Sequence, residues 1–105
     1  MSIVAIASYK PRAGMEKKFL RLLKQHMPTL RAEGLISDKS AYLMRSKNGT
    51  IIEVFEWKSA KSKSQAHKNE RVMALWNQFF PLARTVSIGR LAEFRESFAS
   101  FEAIK

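Results

Sequence analysis

The chain has no cysteine among its 105 residues. Disulfides, thiolate metal sites and thiol nucleophiles are therefore excluded. It has only four glycines and three prolines, and they do not gather into a linker, a repeat or a low-complexity tract. One domain over residues 1–105 is expected. No apolar run approaches the roughly 20 residues of a membrane span. The opening stretch, MSIVAIASYKPRAG, lacks the basic n-region and apolar core of a signal peptide. A cytoplasmic protein with no membrane partner is the expectation. The chain also lacks a P-loop, G-x-G-x-x-G, H-E-x-x-H and a Ser-His-Asp spacing. The nucleotide and metal classes fall, and no cofactor and no metal site are expected.

Acidic residues are scarce. Nine Asp and Glu stand against 19 Lys and Arg, a net charge of +10. The first 52 residues carry +7 of this and the remainder +3. The densest clusters are Lys17, Lys18, Arg21, Lys24 and Lys58, Lys61, Lys63, Lys68. Three readings are open: a solvated surface, a footprint for a polyanion, or a pocket that steers a small anion.

The rest of the chain has clear periodicity. Residues 3–9, IVAIASY, form an apolar, β-branched run that reads as a strand. Beyond the loop KPRAG, Met15, Phe19, Leu22, Leu23, Met27 and Leu30 recur at helical spacing. Gly34 suits the position just past that helix. Pro28 lies inside it and predicts a kink, or a break and restart, near residues 25–27. Residues 41–46 and 51–57 read as two strands, with Asn48 and Gly49 as a hairpin signal. Ser59 can cap a helix over 60–66. Asn69 can cap a second, striped with Val72, Leu75, Trp76, Phe79 and Phe80. Residues 84–96 suggest a loop and a short helix, and SFASFEAI alternates as a final strand. The order is βαββαβ. It predicts an α+β, ferredoxin-like domain with a four-stranded antiparallel sheet and helices on one face.

That sheet is apolar on both sides. Ile51, Glu53, Phe55 and Trp57 alternate with Ile52, Val54 and Glu56, and Ile3, Ala5, Ala7 and Tyr9 with Val4 and Ile6. Leaving the helix-free face bare would forgo about 1.5–3 kcal/mol for each large side chain. The pattern predicts a homodimer through sheet-to-sheet packing.

The segments Glu53 to His67, EVFEWKSAKSKSQAH, and Val72 to Trp76, VMALW, resemble the dimeric α/β barrel superfamily, in particular its antibiotic biosynthesis monooxygenase-like family. Tyr9 to Phe19, YKPRAGMEKKF, and Ser97 to Glu102, SFASFE, fit the same pattern. The resemblance implies a small homodimer with a pocket between sheet and helices. The activities it implies run from cofactor-independent oxidation of polycyclic aromatics, through haem degradation, to no reaction. Trp57 stands where haem-degrading members have a Trp, and His67 is a candidate for their His. The first strand has no Asn, so no catalytic residue carries over.

The candidate pocket residues are Trp57, His67, Trp76, Glu53 and Tyr9. The tryptophans can stack a planar ligand or serve as core. His67 can act as base or ligand near neutral pH, or as a simple hydrogen-bonding residue. Glu53 can move protons if buried, or pair with Arg45 across the hairpin. Tyr9 can donate to a ligand oxygen. His26 reads as structural. Three functions follow: a pocket protein for a small aromatic or quinone-like molecule, oxidised without a cofactor; a non-catalytic ligand-binding or stress-response dimer; and a basic nucleic-acid module. Ile51, Glu53 and Phe55, taken as the platform face of an RNA recognition motif, argue against the last.

Overall fold

The computed structural model describes residues 1–105 and is α+β. Strand β1 (Ile3–Pro11) leads to helices α1 (Glu16–Leu23) and α2 (His26–Ala32). A hairpin of β2 (Tyr42–Arg45) and β3 (Ile51–Trp57) follows, then α3 (Ala60–Ala66) and α4 (Glu70–Phe79). Next come β4 (Ala83–Thr85), two 3-10 turns (Ile88–Arg90 and Ala92–Arg95) and β5 (Glu102–Ala103). The strands make one sheet in the order β4-β1-β3-β2-β5, with every pairing antiparallel. No helix is long and apolar enough to cross a membrane.

The local signals act as expected at the caps. Ser59 Oγ accepts from the Ser62 N–H at 3.1 Å, and Asn69 Oδ1 from the Val72 N–H at 3.0 Å. Each satisfies one of the unpaired N–H groups at its helix start. The first helical stripe breaks and restarts. In an unbroken helix the Pro28 ring would press on the Lys24 carbonyl, four residues back. The chain instead tightens at Gln25, whose N–H donates to the Leu22 carbonyl, and Pro28 falls in the first turn of α2, where its missing N–H is harmless. Gly34 ends α2 at φ +71°.

Three expectations are corrected. The sheet has five strands, not four. Residues 83–85 form the strand beside β1, because Tyr9 to Pro11 need an edge partner; the C-terminal strand, shortened to Glu102–Ala103, pairs with β2 at the opposite edge. The hairpin turn holds only Gly49 at positive φ, +90°. The Gly49 N–H donates to the Ser46 carbonyl and the Ser46 N–H to the Thr50 carbonyl, a three-residue loop with a glycine bulge rather than the two-residue turn. Arg45 does not meet Glu53. The two lie on neighbouring strands but not opposite one another, and Arg45 pairs with Glu16 and Glu102.

Ile3, Ala5, Ala7 and Tyr9 share the helix side with Trp57, Phe55, Glu53 and Ile51, their register partners. Two apolar clusters fill that side. One holds Tyr9, Phe19, Leu23, Ile51, Leu75 and Phe79. The other holds Leu30, Leu35, Phe55, Trp57, Ala66 and Val72. Tyr9, Phe19 and Phe79 meet with ring centroids 5.1–5.8 Å apart in tilted and edge-on contacts, each contributing about 0.5–1.5 kcal/mol beyond area burial. The opposite side carries Val4, Ile6, Ile52 and Val54. It is not wholly bare. Residues 86–101 strap across its hairpin end: the Val86 N–H donates to the Ser8 carbonyl, Leu91 is buried, and Glu93 accepts from Ser46 Oγ and the Lys47 N–H.

Candidate functional site: a buried relay beneath an aromatic pocket

Between the two clusters lies a chain of polar side chains. Trp76 Nε1 donates to His26 Nε2 at 2.9 Å. An indole N–H can only donate, so Nε2 must accept and the imidazole proton sits on Nδ1. Nδ1 donates to Glu53 Oε1 at 2.8 Å, and the Tyr9 hydroxyl donates to the same oxygen at 3.2 Å. His26 is 2 % exposed and Glu53 1 % exposed. Both are thus as buried as core leucines, and the carboxylate is tolerable there only because two donors meet it. Burial pushes the Tyr9 hydroxyl well above its ordinary pKa, and the Glu53 charge and hydrogen bond push it further.

Each member sits where its element puts it. His26 lies at the helical spacing of Phe19, Leu23 and Leu30, now on the first turn of α2. Glu53 is the one charged residue on the helix-side face of β3. Trp76 rides α4 toward β1, and the His26 ring meets Phe55 and Phe79 edge-on at 5.6 and 5.5 Å.

Above the relay, against β1, opens a pocket of about 440 Å³. Tyr9, His26, Trp57, His67 and Trp76 line it, among mostly apolar walls. Four of the five residues singled out from the sequence thus surround one cavity. Glu53 is absent from the wall and lies behind it. His67, exposed just past α3, stacks edgewise on Trp76 with centroids 5.1 Å apart. Trp57 packs on Phe55 at 5.0 Å. A second pocket of about 370 Å³ continues along β1 and shares Ile6, Tyr9 and Trp76. No three His, Asp or Glu side chains converge as a metal set, and both His26 nitrogens are already engaged.

His26, read from the sequence as structural, is the residue that joins Glu53 to Trp76 in this buried chain. Its signal was a polar residue in an apolar helical stripe, matched by Glu53 in an apolar strand face. Neither signal tells which polar residue meets the other. The platform reading is also corrected. Ile51, Glu53 and Phe55 face the helices, and the helix-free face carries Ile52, Val54 and Glu56. That face carries Tyr42 as its one aromatic strand residue, beside the acidic Glu56.

A five-stranded antiparallel sheet with helices packed on one face and an open pocket between them is an α+β fold. Two solved structures share that fold: Rv0793 from Mycobacterium tuberculosis, with TM-score 0.64, 17% identity and coverage of 83% of this chain and 94% of that one, and a NIPSNAP family protein (ATU5224) from Agrobacterium tumefaciens str. C58, with TM-score 0.55, 17% identity and coverage of 83% and 92%. At that identity the likeness speaks for the fold alone. No family model and no curated protein matches the chain.

Proposed function

We propose that the protein is a homodimeric pocket protein that takes a small aromatic or quinone-like molecule between β1 and α4 and oxidises it without a bound cofactor. The observation that carries this reading is the relay of Glu53 and His26 ending at an aromatic pocket. A carboxylate that holds an imidazole by Nδ1 leaves Nε2 as the basic atom. Here Nε2 faces Trp76, at the pocket wall. A ligand hydroxyl or acidic C–H replacing the indole N–H would give its proton to Nε2. In the proposed monooxygenation a ring CH2 group and O2 become a C=O group and water. The electrons come from the substrate, so none need come from a cofactor. Trp57, Trp76 and His67 offer faces for a planar ring.

The dimer rests on the helix-free face. Val4 is 62% exposed, Ile6 53% and Tyr42 71%, with Phe98 at 92% on the strap. Such a concentration of apolar surface fits a second sheet packed upon it. Light scattering is expected to give twice the monomer mass.

One observation favours binding without turnover: Trp76 already occupies Nε2. Two measurements separate the readings. Titration with naphthoquinone is expected to quench tryptophan fluorescence, and Trp76→Phe to weaken binding. An oxygen electrode with anthrone, whose ring CH2 can become a C=O, reports turnover, which Glu53→Gln should lower at least tenfold. Quenching without oxygen uptake leaves a binding protein. No quenching at all sinks the pocket reading.

A further inference from the structure

Lys10 and Arg84 stand directly opposite one another in the β1–β4 pairing. Like charges at that position are unfavourable, because their side chains leave the sheet on the same face at the closest cross-strand distance. A third cation, Arg90 of the first 3-10 turn, joins them. With Thr85 and Ser87 they line a concave pocket of about 420 Å³ that contains no acidic side chain. None of the three cations takes part in an ion pair. Glu93, three residues beyond Arg90, is spent on Ser46 and the Lys47 N–H. Elsewhere the scarce acids are placed against cations: Glu16 and Glu102 on Arg45, Glu33 on Arg71, Glu56 on Lys39.

The cluster is also organised. Lys10 Nζ donates to the Asn48 carbonyl at the hairpin tip, which holds the ammonium over the pocket. A Cβ on Gly49 would lie 3.1 Å from that Nζ, and Gly49 already stands at φ +90°. The hairpin glycine thus brings the turn close against the Lys10 ammonium. A local conflict with fold stability, held in place by neighbouring structure, is the mark of a ligand site.

We propose that this pocket binds a phosphoryl-class oxyanion, with Lys10, Arg84 and Arg90 as its cationic partners. Two arginines present forked donors that suit phosphate oxygens, and Lys10 adds a point charge. The cations converge in a hollow rather than run along a stripe, so the ligand is a small anion, not a nucleic-acid strand. The site lies on the opposite side of the sheet from the relay and does not depend on the aromatic pocket's function.

The test uses the full chain and pyrophosphate as probe, read by thermal unfolding and by phosphorus NMR line broadening. Pyrophosphate is expected to raise the melting temperature where sodium chloride of equal ionic strength does not. Arg84→Gln and Arg90→Gln should each weaken apparent affinity at least tenfold, while Lys61→Gln on exposed α3 leaves it unchanged. Without anion at low salt, Arg84→Gln should melt higher than wild type, because the like-charge pair is gone. Adenosine diphosphate binding tighter than pyrophosphate would assign an organic carrier, and equal binding the inorganic group. Equal effects of chloride and pyrophosphate, or an equal loss from Lys61→Gln, would overturn the site. So would an oligonucleotide that binds more tightly, with its loss spread over all surface cations.

Discussion

The molecule treats two polar clusters in opposite ways. On the helix side, Tyr9, His26 and Glu53 are buried, Trp76 stands half-buried at the pocket wall, and every donor finds an acceptor. On the other side, Lys10, Arg84 and Arg90 are open to water and none has a counter-ion. The first cluster is closed in itself, so its worth is read by removing a member. The second is incomplete, so its worth is read by adding an anion. Burial explains the contrast. An unpaired charge in a dry core costs several kcal/mol, whereas like charges at a wet surface cost a few tenths to about 1 kcal/mol. Only the second cluster can stay unsatisfied and still fold.

The largest expected effect comes from opening the closed cluster. Glu53→Ala strands the His26 Nδ1 proton and the Tyr9 hydroxyl, and should lower stability by about 3–5 kcal/mol. For a domain of this size, that is roughly 4–8 °C of melting temperature per kcal/mol. Replacing the network together, with Glu53→Leu, His26→Leu and Tyr9→Phe, should recover most of the loss, as seen by urea unfolding. If the triple variant is as unstable as Glu53→Ala, the loss comes from packing and the contrast between the clusters is weaker than argued.

Next in size is Tyr9→Phe. It removes one hydrogen bond to a charged acceptor, about 1.5 kcal/mol. It also changes the pH dependence. The Tyr9 pKa is raised by burial first and by Glu53 second. The folded state therefore holds this proton after the unfolded chain has begun to release it. Stability from this group is full below the ordinary tyrosine pKa of about 10 and falls as pH rises above it. Denaturant midpoints measured across that window should decline less steeply for Tyr9→Phe than for wild type.

Smaller still is a charge placed on the helix-free sheet face. Ile6→Glu should leave the monomer fold intact by circular dichroism and halve the mass in solution. A dimer that survives it would mean that the exposed strip around Val4 and Tyr42 is not the interface.

The smallest effect concerns the strap. The Lys47 N–H holds the exposed Glu93 carboxyl below its usual range, and the Ser46 hydroxyl helps. The stability that the contact lends the strap should thus be full above the ordinary glutamate pKa and be lost as pH falls from there through the lowered value. Glu93→Gln should remove that acid dependence, seen as hydrogen exchange at Leu91 and Phe94 that no longer changes with pH.

Legibility followed the range of the physics. The caps at Ser59 and Asn69, the break before Pro28 and the turn at Gly49 could all be read because each is settled within a few residues. The two apolar faces of β3 could be read from alternation alone. The site was half legible. Trp57, Trp76 and Tyr9 were visible as large residues on inward positions, and His67 as a titratable one between two helices. His26 was passed over because a histidine on an apolar stripe shows no partner. The partner of Glu53 was misjudged because Arg45 is nearer in sequence than His26, which lies 27 residues away. The terminal strands were the least legible. Residues 83–85 are too short to carry a period, and only an unpaired stretch of β1 makes them a strand.

By itself the sequence determined the order from β1 to α4, the caps of α3 and α4 and which side chains of β1 and β3 share a face, because dihedral preference, capping and periodicity act locally. The tertiary structure alone decided which charges meet. It set Glu53 against His26 rather than Arg45, gave the scarce acids to other cations, and left Lys10, Arg84 and Arg90 facing one another with none. Those choices depend on strand register and helix packing, which join residues far apart in the chain and which no local pattern encodes.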